Sequence, residues 1–123
     1  RFSNNVWISS NSFFKFSFSF FFNKIKIADF DNFDFVLMRD FFIHLPIPLI
    51  KIILINLKNS NCRYFAFNNY ENVNVNKEIS TGQHRKINLL KKPFNLGIPF
   101  WKIQEINNDH NPDQDNFIYI YKN

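Results

Sequence analysis

Ile47-Pro48-Leu49-Ile50-Lys51-Ile52-Ile53-Leu54-Ile55-Asn56 is the stretch on which the fold of this chain turns. Apart from Lys51 it is apolar up to its closing asparagine, and isoleucine dominates it. A β-branched run of this kind has the composition of a strand buried on both faces. Residues 49–57 are therefore expected as a strand. Upstream, Phe35, Met38 and Phe42 fall at helical spacing behind Asp34, a residue type suited to an N-cap, so a short helix is expected over 34–44. Pro46 and Pro48 end that helix and hold the chain extended on its way into the apolar run.

The second decisive segment begins at Thr81-Gly82-Gln83, passes Lys91-Lys92 and closes on Gly97-Ile98-Pro99. Residues 85–90 and 100–106 suit two strands, joined by a loop holding Pro93, Gly97 and Pro99. The 100–106 strand is expected in one sheet with 49–57, and 85–90 beside it. Lys77, Arg85, Lys86, Lys91, Lys92 and Lys102 gather here against Glu78 alone. Cations on a rigid support beside turn glycines suit RNA phosphates, while on charge alone a solvated basic loop fits equally well. Tyr64, Phe94 and Trp101 are candidates for stacking on bases, although in so aromatic a chain core packing is the stronger expectation for the Phe and Trp.

Outward from these segments the signals thin. Asparagines crowd residues 58–76 and favour turns, leaving a weak helix over 66–79 or a strand pair as alternatives. Residues 107–116 read as a polar linker, and Phe117-Ile118-Tyr119-Ile120-Tyr121 as a final strand or docking tail. At the other end, Phe16-Ser17-Phe18-Ser19-Phe20 alternates like a strand, and this Phe-rich section is expected to pack on a neighbouring protein or RNA. The organisation expected is a Phe-rich extension over 1–33, an α+β RNA-binding domain over 34–106 with helices on one face of an antiparallel sheet, and a linker with its terminal strand or tail over 107–123.

Composition narrows the function class. Phe occurs 18 times, Gly only 2 times, and Asn, Ile and Lys are plentiful. The enriched residues share A- and T-rich codons, which points to an AT-rich genome such as an organelle's. Lys plus Arg is 15 against 10 acids, a net charge of +5, which favours a polyanionic partner. A single cysteine, Cys62, excludes a disulfide framework within the chain and fits a reducing compartment. The apolar run from Phe41 to Leu57 is broken by His44, Pro46, Pro48 and Lys51, so no membrane span is expected, and no secretory leader is visible. The sequence opens on Arg1, so its start need not be the gene's start.

Catalytic and metal chemistry find little support. Two glycines cannot supply a phosphate-cradling loop or a nucleophile elbow, and no serine sits in an activating context, so no catalytic residue, cofactor or enzyme activity is expected. Cys62, His44, His84 and His110 lack the close spacing of a metal pair. Asp109, Asn111, Asp113 and Asp115 copy the opening of a calcium loop, but Gln114 stands where its glycine belongs and Ile120 where its bidentate Glu belongs.

Residues 36–106 resemble the universal large-subunit ribosomal protein L-five family, the partner of 5S ribosomal RNA. Ile47, Pro48 and Asn56 match the Ile-Pro pair and closing Asn of the family's opening strand. Thr81, Gly82 and Gln83 match its Thr/Ser-Gly-Gln triplet, Lys91 and Lys92 its basic pair, and Gly97 and Pro99 its Gly-x-Pro. The departures are Ile52 in place of the first strand's lysine, Lys58 in place of a glycine, a shorter loop between Lys92 and Gly97, and no counterpart to the family's C-terminal part.

That resemblance implies a structural constituent of the large subunit of a mitochondrial ribosome, in the matrix, with a plastid-type organelle as the alternative. It would bind ribosomal RNA in the central protuberance (5S RNA if present, otherwise large-subunit RNA) and neighbouring ribosomal proteins, with its basic loop directed toward peptidyl-site transfer RNA. The RNA-binding residues so implied are Lys51, Asn56, Lys58, Thr81, Gly82, Gln83, Arg85, Lys86, Lys91, Lys92 and Lys102. The rivals are a different ribosomal protein and an accessory subunit of an organellar membrane complex that binds no RNA.

Overall fold

A computed structural model describes residues 6–9, 30–105 and 114–123. The fold is α+β. Strands β1 (Val6–Ser9), β2 (Phe35–Met38), β3 (Tyr64–Tyr70), β4 (Trp101–Gln104) and β5 (Asn116–Lys122) form one sheet in the order β1-β2-β3-β5-β4. The sheet is mixed and not antiparallel throughout: β1, β2 and β3 run parallel, while β5 runs antiparallel to both β3 and β4.

The decisive stretch is a helix. Ile47–Lys58 form α1, which corrects the strand expected over 49–57 and with it the sheet in which that strand was to pair with 100–106. The prolines work in the opposite sense to the one expected. Pro46 is the N-cap residue and Pro48 lies in the first turn, where a missing N–H breaks no helical bond. Ile50, Ile53 and Leu57 form one buried stripe, while Lys51, Ile55 and Lys58 face outward. Glu78 accepts the Ile47 N–H at 2.9 Å, placing an acid at the positive end of the helix. At the other end Asn123 Nδ2 donates to the carbonyls of Leu57, Ser60 and Cys62 at 2.9, 3.2 and 2.9 Å. Tertiary partners thus fix a helix that its isoleucines alone favour weakly.

The helix expected over 34–44 is also corrected. Residues 35–38 are strand β2, and a 3-10 turn, Phe42–His44, follows. Asp34 is no N-cap; its carbonyl accepts the N–H groups of Arg63 and Tyr64 at the start of the parallel β2–β3 pair. Val36 and Met38, two apart, are the buried pair, and a segment this short satisfies helical and alternating patterns alike.

Alternation assigns the two faces of the sheet. Val36, Met38, Phe65, Phe67, Tyr119 and Tyr121 share a core with Ile50, Ile53 and Leu57 of α1 and with Phe42. The ring of Tyr121 stacks on Phe65 at 5.6 Å and on Phe67 at 5.3 Å. Ile118 and Ile120 point the other way, beside Ile103 and Trp101 across the β4–β5 register. The strands expected over 100–106 and 117–121 are present as β4 and β5. Within the asparagine-rich stretch, β3 takes the strand alternative for 64–70, while 71–79 form neither helix nor strand.

Residues 85–90 are not a strand. A backbone bond to the sheet runs from Tyr70 N–H to the Ile87 carbonyl at 2.9 Å. Asparagine side chains do the rest. Asn69 Oδ1 accepts the Leu89 N–H at 2.6 Å, and Asn69 Nδ2 donates to Asn88 Oδ1 at 3.1 Å. Asn76 brackets Asn88 with two 2.8 Å bonds and donates to the Lys92 carbonyl. Ile87 and Leu89 are thereby held in the core. The Phe16–Phe20 strand and the calcium-like residues Asp109, Asn111 and Asp113 lie outside the described residues, as do residues 10–29 generally.

Candidate nucleic-acid interface

The residues expected at RNA divide into a buried set and an exposed set. Arg85 belongs to the first and is corrected. It is only 8% exposed. Its Nη1 donates to the Phe42 carbonyl at 2.8 Å, Nη2 to Leu45 at 2.7 Å and Nε to Lys77 at 2.9 Å. Burial lowers its pKa, and Glu78 opposes that shift. The guanidinium clamps the 3-10 turn to the 77–85 loop, and burial, with three of its five N–H groups committed, keeps it from a phosphate. Backbone bonds from Arg85 N–H to Ile43 and from Gly82 N–H to His44 close the same seam.

The Thr81-Gly82-Gln83 triplet forms an exposed turn. Gly82 has φ of +87°, the conformation in which glycine is strain-free. Gln83 Oε1 accepts the Ser80 N–H at 2.8 Å, so its side chain serves the turn. Lys86 is half-buried, 3.5 Å from Asp115 Oδ1 and over the Tyr70 ring. Lys51, Asn56 and Lys58 lie on α1 and not on a strand beside this loop.

Lys77, Lys91, Lys92 and Lys102 are exposed. Lys91 sits on the turn that follows Asn88, where Lys91 N–H donates to the Asn88 carbonyl and the Lys91 carbonyl accepts from Phe94 and Asn95. This asparagine-pinned loop and the start of β4 enclose an open groove of about 680 Å³. Glu71, Leu90, Lys91, Phe100, Trp101 and Lys102 are among its lining residues. Trp101 is 62% exposed and Phe100 63%, so both rings face solvent, contrary to the expectation of core packing for the Trp. Phe94 is half-buried and packs against the core.

Glu71 is the acid of this groove. Lys102 Nζ lies 2.7 Å from its Oε1, and the Tyr119 hydroxyl donates to the same oxygen. The Lys102 bond, then the Tyr119 bond, lower the Glu71 pKa, while burial first and Glu71 second push Tyr119 well up. Among the described residues that line it, the groove therefore holds one acid, Glu71, paired with Lys102, and the exposed Lys91. A second hollow of about 330 Å³ is lined by Lys58, Ser60, Arg63, Tyr64, Lys122 and Asn123, with no acidic side chain in its lining. The two adjoin at the Tyr64 and Phe100 rings, whose centroids are 6.0 Å apart.

Sequence reasoning missed Arg63, Lys122 and Phe100, since only the pairing of β3 with β5 brings Tyr64 opposite Lys122. Among the described residues no group of three His, Cys, Asp or Glu side chains could hold a metal ion, and no helix is long and apolar enough to cross a membrane. Comparison of the chain with known protein families, curated proteins and solved structures finds no match.

Proposed function

We propose that this protein is a non-catalytic RNA-binding constituent of the large subunit of an organellar, mitochondrial, ribosome. The observation that carries the proposal is the groove lined by Lys91 and Lys102 together with the exposed Phe100 and Trp101, in a segment where Lys77 and Lys92 are exposed as well. Lysines on a supported loop neutralise phosphates, and aromatic rings add contacts to bases. The resemblance to the L-five family adds the order of its later motifs, Thr81-Gly82-Gln83, Lys91-Lys92 and Gly97-Ile98-Pro99. Its opening motif contributes less, because Ile47, Pro48 and Asn56 stand on a helix. Proximity to 5S RNA and to peptidyl-site transfer RNA rests on those later motifs alone.

Expressed in its own organism with an affinity tag, the chain should cosediment with the large ribosomal subunit. Ultraviolet crosslinks to ribosomal RNA should fall within residues 77–102. Changing Lys91 and Lys92 to Ala should reduce the log–log salt slope of RNA binding by about 0.7–0.9 per lost phosphate contact. Sedimentation with a membrane complex free of ribosomal RNA would overturn the proposal in favour of an accessory-subunit role.

A further inference from the structure

We infer that the groove between the 88–91 loop and the start of β4 takes single-stranded RNA, with unpaired bases stacking on Trp101 and Phe100. The inference rests on the RNA-binding function proposed above and narrows its ligand to unpaired nucleotides.

Chemistry selects this ligand. Indole and phenyl rings in water lose little by remaining exposed singly, but here Trp101, Phe100 and Ile98, the last 91% exposed, all line one groove. A base offers a flat apolar face to such rings and a phosphate to the lysine beside them. In a duplex those faces are already stacked on neighbouring bases, so the rings gain nothing from double-stranded RNA. Lys91 supplies a cation to the groove, and Lys102 satisfies the carboxylate of Glu71, which would otherwise repel a phosphate. Beyond the Tyr64–Phe100 ring pair, the hollow with Lys58, Arg63 and Lys122 continues the cationic surface. Cations, then rings, then cations is the pattern that tracks a polyanionic strand with exposed bases. A protein partner would use the rings but not this excess of lysine.

The chain holds two tryptophans, Trp7 and Trp101, so Trp7→Phe makes Trp101 its only indole reporter. The full chain carrying this change is titrated with a single-stranded oligouridylate and with a blunt RNA duplex of equal phosphate count. The single strand should quench Trp101 emission saturably and bind roughly ten-fold more tightly than the duplex. Trp101→Ala, at an exposed site, should reduce single-strand affinity on the order of ten-fold while leaving duplex affinity and the salt slope unchanged. Equal binding of both RNAs without quenching, still weakened by loss of Lys91 and Lys92, would overturn the stacking inference and leave RNA binding standing. Failure of the chain to bind either RNA would remove the RNA-binding function itself. Saturable capture of a protein that Trp101→Ala abolishes, with no response to the oligouridylate, would reassign the groove to protein docking.

Discussion

At the scale of single residues, charge is a poor guide to role until burial is known. Arg85 and Lys91 stand six positions apart in the same basic segment, yet one is a buried clamp on three carbonyls and the other borders an open groove. Replacing Arg85 with Ala removes the buried donor to the Leu45 carbonyl and leaves the Phe42 carbonyl with the Leu45 N–H alone, and should lower stability by about 2–4 kcal/mol. Arg85→Lys should recover only part, because a single ammonium cannot span carbonyls arranged for a fork. Urea unfolding measures both variants. Neither should alter the salt slope of RNA binding once the protein is folded, whereas Lys91→Ala should. A full-stability Arg85→Ala variant with a reduced slope would return Arg85 to the phosphate-binding set. The asparagines teach the same lesson. In sequence Asn69 and Asn76 read as turn formers and Asn88 as part of a strand, but their amides replace a strand's backbone in anchoring residues 85–92. No composition signal distinguishes those two uses, since both depend on which N–H groups lie opposite.

At the scale of elements, the legible strands were those with one partner-facing pattern, and the misread segments were those with two. β5 alternates plainly, with Tyr119 and Tyr121 toward the core and Ile118 and Ile120 away from it. Residues 47–58 do not alternate: apolar residues occupy every position save Lys51, Asn56 and Lys58, so a doubly buried strand and a helix share one pattern. Length could have separated them, because twelve helical residues with a proline in the first turn exceed the usual buried strand. The two assignments differ in a measurable way. In the helix Ile53 is buried and Ile55 is 56% exposed, although both would lie within a buried strand. Ile53→Ala should therefore lower stability by about 2–4 kcal/mol, as loss of a large core side chain does. Ile55→Ala should stay within about 0.5 kcal/mol. Comparable losses from both, measured by urea unfolding, would mean that residues 49–57 are a strand after all and would restore the opening motif of the L-five resemblance.

At the scale of the whole molecule, the last described strand in sequence is interior in space. β5 lies between β3 and β4, so the segment that reads as a tail after a linker is an interior strand of the sheet. The sequence could not show this, because strand order follows from which partners satisfy both edges and not from any property of residues 116–122 themselves. Asn123, just beyond that strand, also donates to carbonyls around the end of α1, so both layers of the fold close on the chain's last described residues. The groove depends on this closure as well: β4 pairs only with β5 among the described strands, and Tyr121 donates to the Gly97 carbonyl at 2.9 Å in the loop that leads to Phe100. A chain ending at residue 113 should consequently lose more than a tail. Without β5, Phe65 and Phe67 lose the Tyr121 ring and β4 loses its partner. The expected outcome is the disappearance of cooperative urea unfolding and of sigmoidal thermal unfolding, with exposed apolar surface that binds a hydrophobic dye. Adding the 114–123 peptide in excess should restore part of the transition in a concentration-dependent way, since an interior strand binds only the folded state. A truncated chain that unfolds with the same midpoint and the same denaturant slope as the whole protein would show that residues 116–122 dock on a sheet complete without them.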